Sequence, residues 1–198
     1  SVFHLVFMNQ SGRVLRKKKL RRHQMLSYFS HLEPSIVVME ACGSCHYWCR
    51  ELTKAGHEVK AIAPQYVVAY RKGNKHDYND AEAIAEASQR EGMRFVPFKS
   101  QEQQDVQLMH RIRERMIAQQ TALSNQIRGL LSEYGIVYAR GVAALVKELP
   151  FTLEEADNGL SMLARRQFQG LLNDLRELRE RIKEMDKELK AFSQSQPV

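Results

Sequence analysis

The chain has 198 residues, with 30 Lys and Arg against 23 Asp and Glu, for a formal net charge of +7. No run of 18 apolar residues and no signal-peptide pattern occurs, which argues against a membrane span or export, and three cysteines crowded between Cys42 and Cys49 make no disulfide framework. A cytoplasmic protein with room for one sizeable core or two small ones is expected, and the opening "SVFHLVFM" reads as the interior of an element of a longer protein.

Taken in order, "VFHLVFM" and "RVLRKKKL", joined by the turn "NQSG", predict a β-hairpin. A polar helix around "HQMLSYFSHL" follows and is stopped by Pro34. "SIVVM" is a short continuous apolar run, as a buried central strand requires. "SCHYWCRELTKAG" predicts a helix ended by Gly56, and "EVKAIA" a strand closed by Pro64. A helix starting at Asp77 and the short strand "RFVPF" complete a β-β-α-β-α-β-α order. That order predicts a single mixed sheet with helices on its faces, over residues 1–99.

From about residue 101 the strand signals vanish. Met109, Ile112, Met116, Leu123, Ile127, Leu130 and Tyr134 follow a spacing of three and four, so one long helix is expected. "GVAALVKEL" predicts a short helix, and Thr152 with Glu155 has capping-box spacing for the next one. Phe168, Leu171, Leu175, Leu178, Ile182, Met185, Leu189 and Phe192 then form a heptad seam. Glu177 with Arg181 and Asp186 with Lys190 suit its exposed faces. The seam serves equally an antiparallel hairpin within the chain or a coiled coil between chains, so residues 100–198 are expected to be a helical, coiled-coil-like region with a role in oligomerisation.

All of the positive excess lies in the first half, where residues 1–99 hold 16 Lys and Arg against 9 Asp and Glu. It gathers in "RKKKLRR" (Lys17, Lys18, Lys19, Arg21 and Arg22) and in "YRKGNK" (Arg71, Lys72 and Lys75). The first run also has the composition of a lysine-studded edge strand that resists aggregation. Two such clusters together favour a nucleic-acid partner.

Asp77 and Asp80 stand three apart at the head of an alanine-rich helix, where capping is the ordinary role of aspartate. A second carboxylate, Glu40, ends the apolar strand "SIVVME", and such a group needs a cation or hydrogen-bond donors. Reactive residues gather at the C-terminal ends of parallel strands. Three hard oxygen donors suit Mg²⁺ or Mn²⁺ better than zinc. Carboxylates from separate elements beside basic patches are what a phosphodiester-cleaving metal site needs. "CGSCH" (Cys42 to His46) fits a haem-attachment, a redox or, with Cys49, a zinc pattern. With no export signal and no second ligand cluster, the cysteines read as helix-packing residues. Trp48 and Tyr47 read as packing residues too. His76 is placed either to contact phosphate or to flank the helix start.

The stretch "VVMEACGSCHYW…GHEVKAIAPQYVVAYRKGNKHDYNDAEAIAE" resembles the RuvC-like domain of the four-acid (DEDD) insertion-sequence transposases, RNA-guided recombinases of ribonuclease-H-like fold. The resemblance covers about residues 1–95, and the helical remainder is similar to that family's coiled-coil region. It implies an α/β ribonuclease-H-like domain in which four acids bind divalent metal. Glu40 matches the second, Asp77 the third and Asp80 the fourth, with Lys75 at the family's basic position. The first is expected in a Gly-Ile-Asp context upstream of "SVFHLVFM", and a domain with a nucleophilic serine beyond Val198. The resemblance thus implies a recombinase that cleaves and rejoins DNA under a structured guide RNA, of which this chain alone is catalytically incomplete, and the apolar seam of the helical region leads us to expect a homodimer. A Holliday-junction resolvase-like nuclease and a non-catalytic dimerising nucleic-acid-binding module remain the alternatives.

Overall fold

Strand alternation organises the first element. β1 (Val2–Met8) and β2 (Val14–Arg21) pair antiparallel, with a bulge between Phe7 and Met8. Their turn is closed by Asn9, whose Oδ1 accepts the Arg13 N–H at 2.8 Å, and by Gly12 at φ 78°, a left-handed conformation that glycine adopts without strain. Because side chains alternate, Phe3, Leu5 and Leu20 face a core with Met25 and Phe29 of α1 (Met25–Ser30), while Val2, His4 and Val6 with Lys17, Lys19 and Arg21 take the other face. The computed structural model describes residues 1–73 and 76–195.

β3 (Ile36–Glu40), α2 (Cys45–Lys54) and β4 (Glu58–Ile62) form a parallel crossover in the register Glu40↔Ile62. A single turn of helix, α3 (Pro64–Val67), leads towards α4 (Asp77–Ser88), and β5 (Phe95–Val96) adds antiparallel to β4. The order of elements is the expected one, but the single mixed sheet is not found among the described residues. The hairpin is one sheet and β3-β4-β5 another. Side chains join them: Phe3, Leu5 and Leu20 share a core with Trp48, Leu52, Val37 and Met39. The opposite face of β3 and β4 presents Val38 and Ile62 to Ala83, Ile84 and Ala87 of α4.

His57 locks this core. Its Nε2 lies 2.9 Å from the Phe29 carbonyl and its Nδ1 accepts the Ser35 N–H at 3.3 Å, so the ring is neutral with its proton on Nε2. The residue is only 4% exposed. His57→Phe strands both backbone groups and is expected to cost roughly 1–3 kcal/mol for each one left without a partner, read as a lower urea midpoint with unchanged slope.

The chain divides into two compact units, Ser1–Gln101 and Glu102–Val198. In the second, α5 (Gln101–Ser132), α6 (Val142–Glu154) and α7 (Met162–Ser195) build a core from Ile127, Leu131, Leu145, Leu149, Phe168, Leu172 and Leu175. α5 and α7 run antiparallel, since the Arg113–Asp186 ion pair joins the start of one to the end of the other and Tyr134 meets Phe168 edge-on. The expected stripe is displaced at its ends: Ile112, Leu130 and Tyr134 are exposed, whereas Leu131 is buried. On α7, Leu172 is fully buried and Leu171 only partly, because α5 and α6 together cover a wider face than a strict heptad supplies. Thr152 does not start α7. It lies in the last turn of α6, bonded to the Tyr138 hydroxyl, and Ser161 Oγ accepts the Ala164 N–H at 3.1 Å at the head of α7.

Candidate functional site

The capping question at α4 has a specific answer. His76 is the N-cap, its Nδ1 accepting the Tyr78 N–H at 3.2 Å. Neither aspartate performs that role. Asp77, 72% exposed, lies with Oδ2 3.1 Å from His4 Nδ1 on β1. Asp80, 24% exposed, lies with Oδ1 2.6 Å from Arg71 Nε. Both acids thus hold cationic or imidazole groups delivered by other segments, in a position where the helix dipole favours negative charge.

Glu40 reaches the same side by strand parity. It shares a face of β3 with Val38, and its register partner Ile62 packs on α4, whereas Val37 and Met39 turn to the α2 side. The loop that follows is constrained, because Ser44 has φ 69°, a left-handed conformation costly for a residue with a Cβ. As donors, three carboxylates suit a hard divalent cation. As arranged, they do not fit one: among the described residues no three His, Cys, Asp or Glu side chains gather in a group that would hold a metal, and Asp80 spends its inner oxygen on Arg71.

The basic residues sort by face. Lys17 reaches α4, paired with Glu82 and lying 5.6 Å from the Tyr78 ring centre. Lys19 and Arg21 share its side of β2 and have no ion pair among the described residues. Lys18 turns to the other face, 4.4 Å from the Tyr28 ring centre, and Arg22 lies over Tyr47 and Trp48. Arg71 and Lys72 are paired with Asp80 and Glu86, the latter at 2.7 Å, so their charge is partly spent inside the protein. Lysine hydrogen bonding holds the Glu86 carboxyl below its ordinary range. Lys75 lies outside the described residues.

Two of the three cysteines pack as expected, and Cys42, which precedes α2, does not. Cys45 and Cys49 are buried with Ala61, their sulfurs 3.7 Å apart, and Cys42 is exposed. The bond to Cys49 and burial push the Cys45 thiol well above the ordinary range. His46 bonds the Lys99 N–H through Nδ1 at 3.2 Å, and burial with the nearby Lys99 and Arg50 charges lowers its pKa. His4 was not apparent as a site residue in the sequence. Its one signal is parity: it is the polar residue between Val2 and Val6 on a strand face that the hairpin register turns towards α4.

No helix among the described residues is long and apolar enough to cross a membrane. Comparison with known proteins places this arrangement. The family of IS110-type DEDD proteins, described as transposase, matches residues 1–136. A probable family 20 transposase of Pseudomonas aeruginosa is 43% identical over 191 residues, covering 96% of this chain and 56% of the relative. The transposase for insertion sequence element IS1111A of Coxiella burnetii is 42% identical over 194 residues, 98% of this chain and 53% of that protein. The transposase for insertion sequence element IS1328 of Yersinia enterocolitica is 35% identical over 188 residues, 95% of this chain and 55% of its own length. The chain therefore spans about half the length of the curated relatives it matches. With a mixed α/β region of ribonuclease-H-like character followed by long helices, and with a family match over most of its length, the chain belongs to the DEDD transposase family.

Proposed function

We propose that this chain supplies three of the acids and a nucleic-acid-binding face of an insertion-sequence transposase that cleaves and rejoins DNA strands. Residues 1–99 serve as the RuvC-like catalytic and nucleic-acid-binding part, and residues 100–198 as the helical part through which two copies associate. Glu40, Asp77 and Asp80 are the catalytic acids, with Mg²⁺ or Mn²⁺ as the cofactor the family implies for the full set of four, held weakly or not at all by these three alone. A structured guide RNA directs the reaction, as the sequence resemblance implies. The observation that carries this reading is that His76, not an aspartate, caps α4. Asp77 and Asp80 therefore have no capping duty, on a helix that faces the Glu40 side of β3.

The test is a transposition assay in cells with the complete protein that contains this chain. Asp77→Asn and Glu40→Gln are each expected to cut excision by more than the roughly 10–100-fold that outer-shell partners of a metal site cost. The His76→Asn change, which keeps an N-cap acceptor, is expected to leave excision within a few-fold of the parent. Parent-level excision in both acid variants would remove the acids from the reaction.

A further inference from the structure

Strand parity divides the basic run of β2 between two surfaces. Lys17, Lys19 and Arg21 look towards α4, while Arg16 and Lys18 share the face of Phe3, Leu5 and Phe7 on β1. On that second face the cations lie over rings. Arg16 is 4.3 Å from the Phe7 ring centre and donates from Nη2 to the Tyr28 hydroxyl at 2.6 Å. Lys18 is 4.4 Å from the Tyr28 ring centre. Arg22, just past the strand, is 5.5 Å from the Tyr47 ring centre and 5.1 Å from that of Trp48. None of these three cations has an ion pair among the described residues, whereas Lys17 on the α4 side is held by Glu82. Tyr28 is half-buried and Tyr47 is 36% exposed. Beside Tyr28 a cleft of about 600 Å³ opens between Lys18, Lys19, His23, Gln24 and Ser27.

A cation over a partly exposed ring is held weakly, and a phosphate oxygen gives it a stronger, charge-assisted bond. A cation that rises to a phosphate uncovers the ring beneath it, and an uncovered ring face stacks a nucleobase. Only an unpaired base can use that face, because the bases of a duplex are stacked on one another. An edge strand that merely resisted aggregation would need the charges but not the rings.

We propose, resting on the nucleic-acid-binding role given above to this hairpin, that its α1 side is a platform for unpaired nucleotides. Arg16, Lys18 and Arg22 hold phosphates, and the Tyr28 and Tyr47 rings stack bases. The cleft beside Tyr28 adds the polar groups of His23, Gln24 and Ser27 at a base edge. The two faces of one hairpin thus divide the work, duplex on the α4 side and single strand on the α1 side. Single-stranded DNA and RNA share the chemistry the platform uses, phosphates and base faces.

Fluorescence anisotropy with the whole chain tests this, using labelled oligo-dT, oligo-U, an abasic strand of equal length and a DNA duplex. The parent is expected to bind oligo-dT or oligo-U at least tenfold tighter than the abasic strand, since stacking contributes about 5- to 150-fold per base. Tyr28→Leu/Tyr47→Leu, which keeps apolar bulk, is expected to lose most of that advantage and to hold duplex affinity within about twofold. Lys18→Gln/Arg22→Gln is expected to reduce the single-strand salt slope by about 1.4. Equal affinity of the parent for base-bearing and abasic strands overturns the platform. That comparison needs no variant, so a misfolded substitution does not decide the matter. A base advantage that survives in the folded tyrosine variant, or an equal loss of duplex and single-strand affinity there, also overturns it. A parent that binds none of the four overturns the nucleic-acid role of the hairpin, and the platform with it. A preference for oligo-U names RNA as the occupant and a preference for oligo-dT names DNA, and either upholds the platform.

Discussion

Reversing Lys19 and Arg21 together, as Lys19→Glu/Arg21→Glu, is expected to weaken DNA binding on the order of 50-fold at ~0.1 M salt and to reduce the salt slope by about 2. These two residues share the α4-facing side of the hairpin with His4 of β1, which touches Asp77, and they have no ion pair among the described residues. Lys17 stands on the same side but is paired with Glu82. Lys18→Glu, on the opposite face against Tyr28, is expected to change affinity only slightly. Phosphate contacts carry little sequence information, so the double variant should lose affinity for unrelated duplexes alike. Equal losses from Lys18→Glu and from the pair would mean that the run acts through net charge alone and that no face is selected. Unchanged binding in the pair would leave the run as edge protection of a strand.

The second large effect concerns assembly. The chain is expected to sediment as a dimer, and Ile182→Asp/Leu189→Asp to dissociate it with helix content retained. The heptad seam of α7 splits into two parts. Phe168 and Leu175, together with Leu172 beside the seam, are consumed by the core with α5 and α6, whereas Leu178, Ile182, Met185 and Leu189 are half-buried and lie outside that core. The outer half is the apolar surplus that a second copy would cover. Leu175→Asp would be an unsuitable probe, because a buried carboxylate in the three-helix core disrupts the fold itself. Leu172→Ala should cost roughly 2–5 kcal/mol by leaving a cavity, without changing the subunit count of the folded protein. Analytical ultracentrifugation separates these outcomes: a folded monomeric parent refutes the intermolecular seam, and a dimer dissociated by the outer-seam change supports it.

Much of the fold was legible because local chemistry and long-range packing agree. Apolar run length marked β3, and Pro64 and Gly56 mark the ends of β4 and α2 as expected. Where they disagreed, packing decided. Ile112 and Leu130 fit the α5 stripe by spacing yet face outwards, because the stripe is completed by positions that meet two neighbouring helices rather than one. Thr152 has the spacing of a capping residue, yet its hydroxyl bonds Tyr138 inside α6.

The sequence by itself determined the residue types of the candidate site and the elements that bear them: an acid ending an apolar strand, two acids in the first turns of a helix, and a basic run on a hairpin. Composition, strand alternation and helix periodicity are local properties, carried by neighbours a few residues apart. Only the tertiary structure decided which charges face one another. Hairpin register turned His4, Lys19 and Arg21 to the α4 side and Lys18 away from it, and packing of α4 brought Asp77 to His4 and Asp80 to Arg71. His76 became the cap because its ring nitrogen, rather than an aspartate oxygen, meets the Tyr78 N–H. Such pairings depend on distances between segments far apart in the chain, set by how sheet faces and helices pack, and no local pattern encodes them.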